Sequence, residues 1–321
     1  MIKHDKGARP FLKWAGGKSQ LLPQLHQALP QELNNQCFSY IEPFVGGGAM
    51  LFFMLRQFPQ IENVVINDIN RHLTQAYRDI KEQPEELIDA LKTVEIQYFA
   101  LPDEPSRKAY YLVARKRFND PGLMPGIERT SLLIFLNRTC FNGLYRENTK
   151  GEFNVPFGRY ANPSICNEEL IYADSDLLRK FDVKILCGDF KQTIHEIRDD
   201  KLNFIYFDPP YRPLNETSSF NTYVKEAFND QSQQELALFC RQINQRNNCL
   251  WMLSNSDCSA ANPQDRFFEE IYDGFNIQRV IAKRTINANP NKRGKLTELL
   301  IRNYEKYRNS TRKPIQLRIP F

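Results

Sequence analysis

At 321 residues the chain is long enough for a proper core in one large domain or two, and it carries a net charge of +5. Its seven cysteines, at 37, 140, 166, 187, 240, 249 and 258, include no Cys-x-x-Cys pair and are odd in number, which argues against a cysteine metal site and a closed disulfide framework; four isolated histidines add no metal pattern. With no signal peptide and no 18-residue apolar run, the expectation is a soluble, intracellular protein whose cysteines fill the core in a reducing cytoplasm.

In chain order, the first feature is the stretch FLKWAGGKSQLL from Phe11 to Leu22, whose Gly17-Lys18-Ser19 looks like the end of a phosphate-binding P-loop. That loop needs a glycine where Leu12 stands, and a buried strand before it where the residues are mostly polar, so ATP is disfavoured. FSYIEPFVGGGAM then reads as a strand, a glycine turn and the start of a helix, and VVINDI as a second strand. HLTQAYRDI and PEELIDALKTVEIQYF have apolar residues at helical spacing, and RKAYYLVARKRFN and ERTSLLIFLNR look helical too. TCFNGLYRENTKGEFNVPFGRY is rich in Asn, Gly and aromatics and suggests loops with a β-hairpin. VKILCGDF and LNFIYFDPPY resume the buried-strand pattern. SQQELALFCRQINQ reads as an amphipathic helix opened by Ser232 as cap, and LWMLSN, IQRVIAKR and LTELLIRNY as later strands. No repeat is visible, and the tail beyond Tyr304 is polar and basic. The pattern is an α/β sheet interrupted by a mostly helical insert.

Charge is uneven. Residues 105–160 hold ten basic against four acidic residues, and residues 276–321 hold twelve Lys/Arg against Glu298 and Glu305. Two basic stretches fit a polyanionic partner.

Two motifs carry chemistry. In PFVGGG, Gly46, Gly47 and Gly48 follow a strand and let the backbone approach a ligand beside a helix N-terminus. Leu51 stands where a dinucleotide fingerprint wants a third small residue, so hydride chemistry is not favoured. Asp68, at the end of the next strand, is placed to accept ribose hydroxyls. A nucleoside cofactor without a pyrophosphate fits, and S-adenosylmethionine is one. The second motif, Asp208-Pro209-Pro210-Tyr211, delivers an acid to the C-terminal edge of a buried strand. The prolines remove backbone donors and leave carbonyls free to accept. Asp208 and the Pro209 carbonyl can accept the two hydrogens of a planar amide or aromatic amine while Tyr211 stacks on its face.

FLKWAGGK, YIEPFVGGGAMLF, NRTCFNGLYRENTKGEFNVPFGRY and FDPPY stand here in the order seen in DNA adenine-N6 methyltransferases of the Dam family, the alpha-type D12 class, and the chain resembles that family from Pro10 to Tyr304. The resemblance implies a Rossmann-like S-adenosylmethionine-dependent methyltransferase sheet. It places a catalytic domain at residues 1–70 and 165–304, an inserted, mostly helical target-recognition domain at 71–164, and a C-terminal tail at 305–321. It implies that Trp14 and Lys18 line the methionine end of the cofactor, with Lys18 pairing its carboxylate. It further implies that Phe44, Gly46 and Gly48 shape the site, that Asp68 takes the ribose, that Asp189 or Phe190 borders the adenine ring, and that Asp208 borders both cofactor and base. Catalysis falls to Asp208, Pro209 and Tyr211, with no metal. The product would be S-adenosylhomocysteine.

The partner implied is double-stranded DNA, with adenine flipped out of the duplex and GATC as the nearest target type. Arg146 is then the guanine reader with Asn142 and Leu144 beside it, Lys13 serves the outer base pair, Phe141 is the wedge, and Arg159 and Tyr160 hold phosphates. Phe141 departs from relatives that carry Tyr there. GATC is palindromic, so a monomer can treat each strand in turn, and a cognate restriction endonuclease is a candidate companion. Residues 212–228 are read as either a lid or a plain loop. Two rivals stay open: a glutamine methyltransferase, which would show Asn-Pro-Pro-Tyr, and a non-catalytic DNA-binding regulator.

Overall fold

The computed structural model describes residues 7–214, 228–282 and 296–304. Seven strands, β1 (Phe38–Glu42), β2 (Ile61–Asp68), β3 (Lys184–Cys187), β4 (Leu202–Phe207), β5 (Cys249–Ser256), β6 (Asn276–Ala282) and β7 (Leu296–Arg302), form one sheet in the order β3-β2-β1-β4-β5-β7-β6. The first five are parallel, β7 runs antiparallel to β5, and β6 antiparallel to β7. Strands β1 and β5 are buried along their whole length and β4 nearly so, which is why they read as apolar runs rather than as alternations. Alternate residues serve opposite faces. Tyr40, Phe204, Tyr206 and Met252 join one apolar cluster; Ile41, Ile205, Phe207 and Trp251 join another.

Eight helices matter for the site: α1 (Leu22–Ala28), α2 (Ala49–Gln57), α3 (Arg71–Glu82), α4 (Pro84–Phe99), α5 (Glu104–Phe118), α6 (Ile127–Thr139), α7 (Glu168–Lys180) and α8 (Asp230–Asn244). Asn70 caps α3 by accepting from His72 and Leu73 N–H, and Asp103 caps α5 through Ser106 N–H. Helix α6 is buried on nearly every side, packed by α3, α4 and α5. Its Phe135, with Tyr98, Tyr111 and Phe153, belongs to the same apolar cluster as Tyr40 and Phe52, so insert and sheet share one core.

The chain steps outward from β1 to β2 and β3, then returns through β4 on the other side of β1. The crevice between the C-terminal ends of β1 and β4 is therefore the topological switch point, where open α/β sheets bind ligands.

Several expectations need correction. Ser232 does not cap α8: Asn229 does, its side chain accepting Ser232 N–H at 3.0 Å, so the helix begins two residues before the serine. The hairpin after α6 consists of two isolated antiparallel bridges, Cys140–Phe157 and Glu147–Phe153, with the Asn148 side chain accepting from Lys150 and Glu152 N–H to close the turn. Periodicity also missed α1 and α7; the inner face of α7 carries Asp174 and Ser175, which blur its apolar stripe. All seven cysteines are free, but only Cys140, Cys240, Cys249 and Cys258 are buried, while Cys37 and Cys187 are exposed. Most of the expected lid, residues 215–227, and the tail, 305–321, lie outside the described residues.

Candidate active site and its DNA-facing rim

The glycine turn after β1 is built by backbone conformations that side chains resist. Gly46 has φ +49° and Gly48 φ +78°. A Cβ at Gly46 or Gly47 would come within 3.0 Å of Trp14, and one at Gly48 would overlap the Tyr77 hydroxyl. That hydroxyl donates to the Gly46 carbonyl at 3.0 Å, and Gly46 N–H donates to Asp68 at 3.1 Å. The other Asp68 oxygen accepts Asn70 N–H at 2.9 Å. Burial raises the Asp68 pKa, opposed by these backbone donors. Trp14 stacks on Tyr145 of the insert, 4.9 Å between rings and 24° apart, and so forms a fixed wall above the turn. Phe44 and Phe190 pack 5.2 Å apart on the other side. Asp189 is exposed at the cleft, its carboxylate accepting Lys191 N–H.

Asp208 ends β4. Its Oδ1 lies 2.8 Å from Lys18 Nζ, a contact without aligned hydrogen-bond geometry, so it is held as an ion pair. Burial pushes its pKa up to about 6 against the pull of Lys18, with Glu298 adding to the rise. The Lys18 ammonium pairs with Asp208, donates to the Gly16 carbonyl at 2.8 Å and lies 4.4 Å from the centre of the Tyr211 ring. Among the described residues no hydrogen bond uses the Pro209 carbonyl, whereas the Pro210 carbonyl accepts from Gln233 at 2.9 Å. Asn255 accepts Arg212 N–H and Ser256 donates to the Arg212 carbonyl, so the end of β5 clamps the loop. Arg212 in turn pairs with Asp230 and Asp265. Sequence reasoning missed Gln233, Asn255 and Ser256, which carry no motif. It also missed Glu42, a buried carboxyl at the end of β1 that accepts the Tyr40 hydroxyl; burial puts its pKa well above the usual carboxylate range.

The rim joins the N-terminal segment to the insert. Asn137 of α6 accepts Lys13 N–H and donates to the carbonyls of Lys13 and Gly143, binding segments 124 positions apart. The Lys13 ammonium lies 5.5 Å from the Tyr160 ring centre, and the Tyr160 hydroxyl accepts Asn142 N–H at 3.0 Å. Phe141 and Leu144 are large apolar side chains left 51% and 39% exposed, unusual for a loop with so many partners. Arg146 is held by Asn154 through Nε at 2.7 Å, and Arg159 is exposed beside Glu104.

Trp14, Lys18, Gly46, Gly48, Asp68, Asp208, Tyr211, Lys13 and Arg146 all line one cleft of about 1910 Å³; Phe141, Asn142, Leu144, Arg159 and Tyr160 lie outside its lining. Its glycine cradle, aromatic walls, buried Lys18 and several carboxylates suit a zwitterionic nucleoside sulfonium. Among the described residues no helix is long and apolar enough to cross a membrane.

Comparison with known proteins gives the family. The family model of the D12 class N6 adenine-specific DNA methyltransferases matches residues 14–286. Over 299 residues the chain is 47% identical to the Type II methyltransferase M.MjaIII of Methanocaldococcus jannaschii, covering 92% of this chain and 99% of that one. It is 40% identical to the Type II methyltransferase M1.LlaDCHI of Lactococcus lactis subsp. cremoris, over 94% and 98% of the two chains. It is 36% identical to the DNA adenine methylase of Haemophilus influenzae, over 93% of each. The chain belongs to the D12 class N6 adenine-specific DNA methyltransferases, and it is an S-adenosylmethionine-dependent enzyme that methylates adenine in DNA.

Proposed function

We propose that the enzyme methylates N6 of adenine within GATC, on a base flipped out of the duplex into the crevice between β1 and β4. The observation that carries this reading is the shared cleft: an acid and an unused carbonyl, Asp208 and Pro209, open onto the same space as Arg146 and Lys13. Bound S-adenosylmethionine supplies an activated methyl group. The chain's own residues prepare the nucleophile. The N6 lone pair of adenine is delocalised into the ring and is a weak nucleophile. Asp208 and the Pro209 carbonyl accept the two N6 hydrogens, which favours a pyramidal nitrogen with a freer lone pair. Tyr211 holds the ring by stacking, and orientation with preorganised charge supplies most of the acceleration. Asp68 holds the ribose hydroxyls, Trp14, Phe44, Gly46 and Gly48 shape the cofactor site, and Asp189 or Phe190 borders its adenine. Lys18 must exchange Asp208 for the cofactor carboxylate. The reaction calls on no metal.

Residues 71–164 act as the target-recognition domain. Asn154 grips the Nε–Nη2 edge of Arg146, which leaves the Nη1 end for guanine O6 and N7. Lys13 serves the outer pair, Asn142 and Leu144 flank Arg146, Phe141 enters the space of the flipped base, and Arg159 and Tyr160 meet phosphates. Flipping costs a few kcal/mol. The enzyme works as a monomer, and its resemblance to proteins named Type II methyltransferases supports a place beside a restriction endonuclease. The test is expression in a host lacking adenine methylation, followed by genome-wide mapping of N6-methyladenine. Methylation concentrated at GATC is expected; concentration at another motif overturns the target assignment.

A further inference from the structure

The reversed strand β7 brings one more polar side chain to the crevice. Because β7 runs antiparallel, its early residues lie at the C-terminal edge of the parallel strands, and Glu298 pairs in register with Ser256 at the end of β5. Leu299 and Ile301 point into one apolar cluster and Leu300 into the other, so Glu298 shares the face of Leu300 and opens onto the cleft. There it accepts the Tyr211 hydroxyl at 2.7 Å, across 87 positions of sequence. Tyr211 has no helix or strand of its own: it lies in a loop between β4 and residues outside the described chain. Its neighbour Arg212 is pinned at both backbone ends by Asn255 and Ser256. Those bonds fix the loop backbone, but they leave the ring free to turn about its side-chain torsions. The hydroxyl lies on the long axis of the ring, so its bond to Glu298 fixes where that axis points, and the Lys18 ammonium, 4.4 Å from the ring centre, rests beside the ring.

We infer that Glu298 is a positioning residue for methyl transfer, anchoring the tip of the Tyr211 side chain so that its ring stays where it receives the target base. The inference rests on the reading that Tyr211 stacks on adenine. Glu298 acts through Tyr211 and needs no contact with base or cofactor.

The experiment compares E298A, E298Q, Y211F, Y211A and the double variant E298A/Y211F in the full chain, by steady-state kinetics on duplex DNA and thermal unfolding. E298A and Y211F each break the same charge-assisted bond, so each lowers kcat about tenfold with a smaller change in KM for DNA, and the double variant loses no more than about tenfold. E298Q keeps an oxygen acceptor and recovers most of the loss. It also moves the acid limb of kcat/KM to lower pH. One negative neighbour of Asp208 has gone, while Lys18, Glu42 on β1, Tyr206 on β4 and Tyr211 remain around it. Losses that multiply in the double variant, or wild-type kcat in E298A, overturn the inference. Full activity in Y211A overturns the stacking reading and this inference with it; an inactive Y211A beside a fully active E298A overturns the inference alone. Should E298A fail to fold, wild-type kcat in Y211F, which breaks the same bond, overturns it.

Discussion

Gly48→Ala tests the glycine cradle directly. Gly48 sits at φ +78°, where an L-residue costs about 1–2 kcal/mol. The new methyl would also overlap the Tyr77 hydroxyl and come within 3.2 Å of the Phe52 ring. Tyr77 is fully buried, and its hydroxyl bonds the Gly46 carbonyl, so pushing it aside strands a buried polar group at about 1–3 kcal/mol. The sum is about 2–5 kcal/mol. With an unfolding entropy near 2.1 cal/mol/K per residue, the melting temperature should fall by about 3–8 °C. Because Gly46 also donates to Asp68, affinity for S-adenosylmethionine should fall with it. Scanning calorimetry and cofactor titration give both numbers. In a Tyr77→Phe background the hydroxyl is already gone, so Gly48→Ala should cost only its conformational part, about 1–2 kcal/mol. Equal losses in the two backgrounds, or a Gly48→Ala protein as stable as the parent, would refute the steric account.

Asp208→Ala should abolish methyl transfer while the fold and most DNA affinity persist, read by labelled-methyl transfer and filter binding; near-normal turnover would remove Asp208 from catalysis. Burial pushes the Asp208 pKa up to about 6 with Lys18 beside it, and its ionised form is the stronger acceptor, so kcat/KM should hold above that pH and decline below it; a flat profile through this range contradicts the assignment. Asp68→Ala should weaken S-adenosylmethionine binding about tenfold to a hundredfold, since charge-assisted bonds are worth roughly 1.5–3 kcal/mol; unchanged calorimetric affinity counts against the ribose role. Arg146→Ala should lose about 1–3 kcal/mol of discrimination at one G·C pair, whereas loss of a phosphate contact weakens all sequences alike; uniform weakening would reassign Arg146 to the backbone.

Much of the fold was legible because burial leaves a local signature. Strands β1, β4 and β5 are covered on both faces and therefore read as apolar runs, and the helices α3 and α4 carry their apolar spacing openly. The glycine turn and Asp208-Pro209-Pro210-Tyr211 were legible because backbone geometry there permits few residue types. What the sequence determined alone was thus most of the elements, though not α1 or α7, together with the acid that follows β4 and the family resemblance. Tertiary structure alone decided which polar groups meet. Nothing local links Lys18 to Asp208, Trp14 to Tyr145, Asn137 to Lys13, or Glu298 to Tyr211. The physical reason is that periodicity reports how one segment partitions between core and solvent. A polar pairing exists only once the sheet has closed: the return through β4 beside β1 creates the crevice, and the reversal of β7 turns a residue near the chain's end into a wall of it.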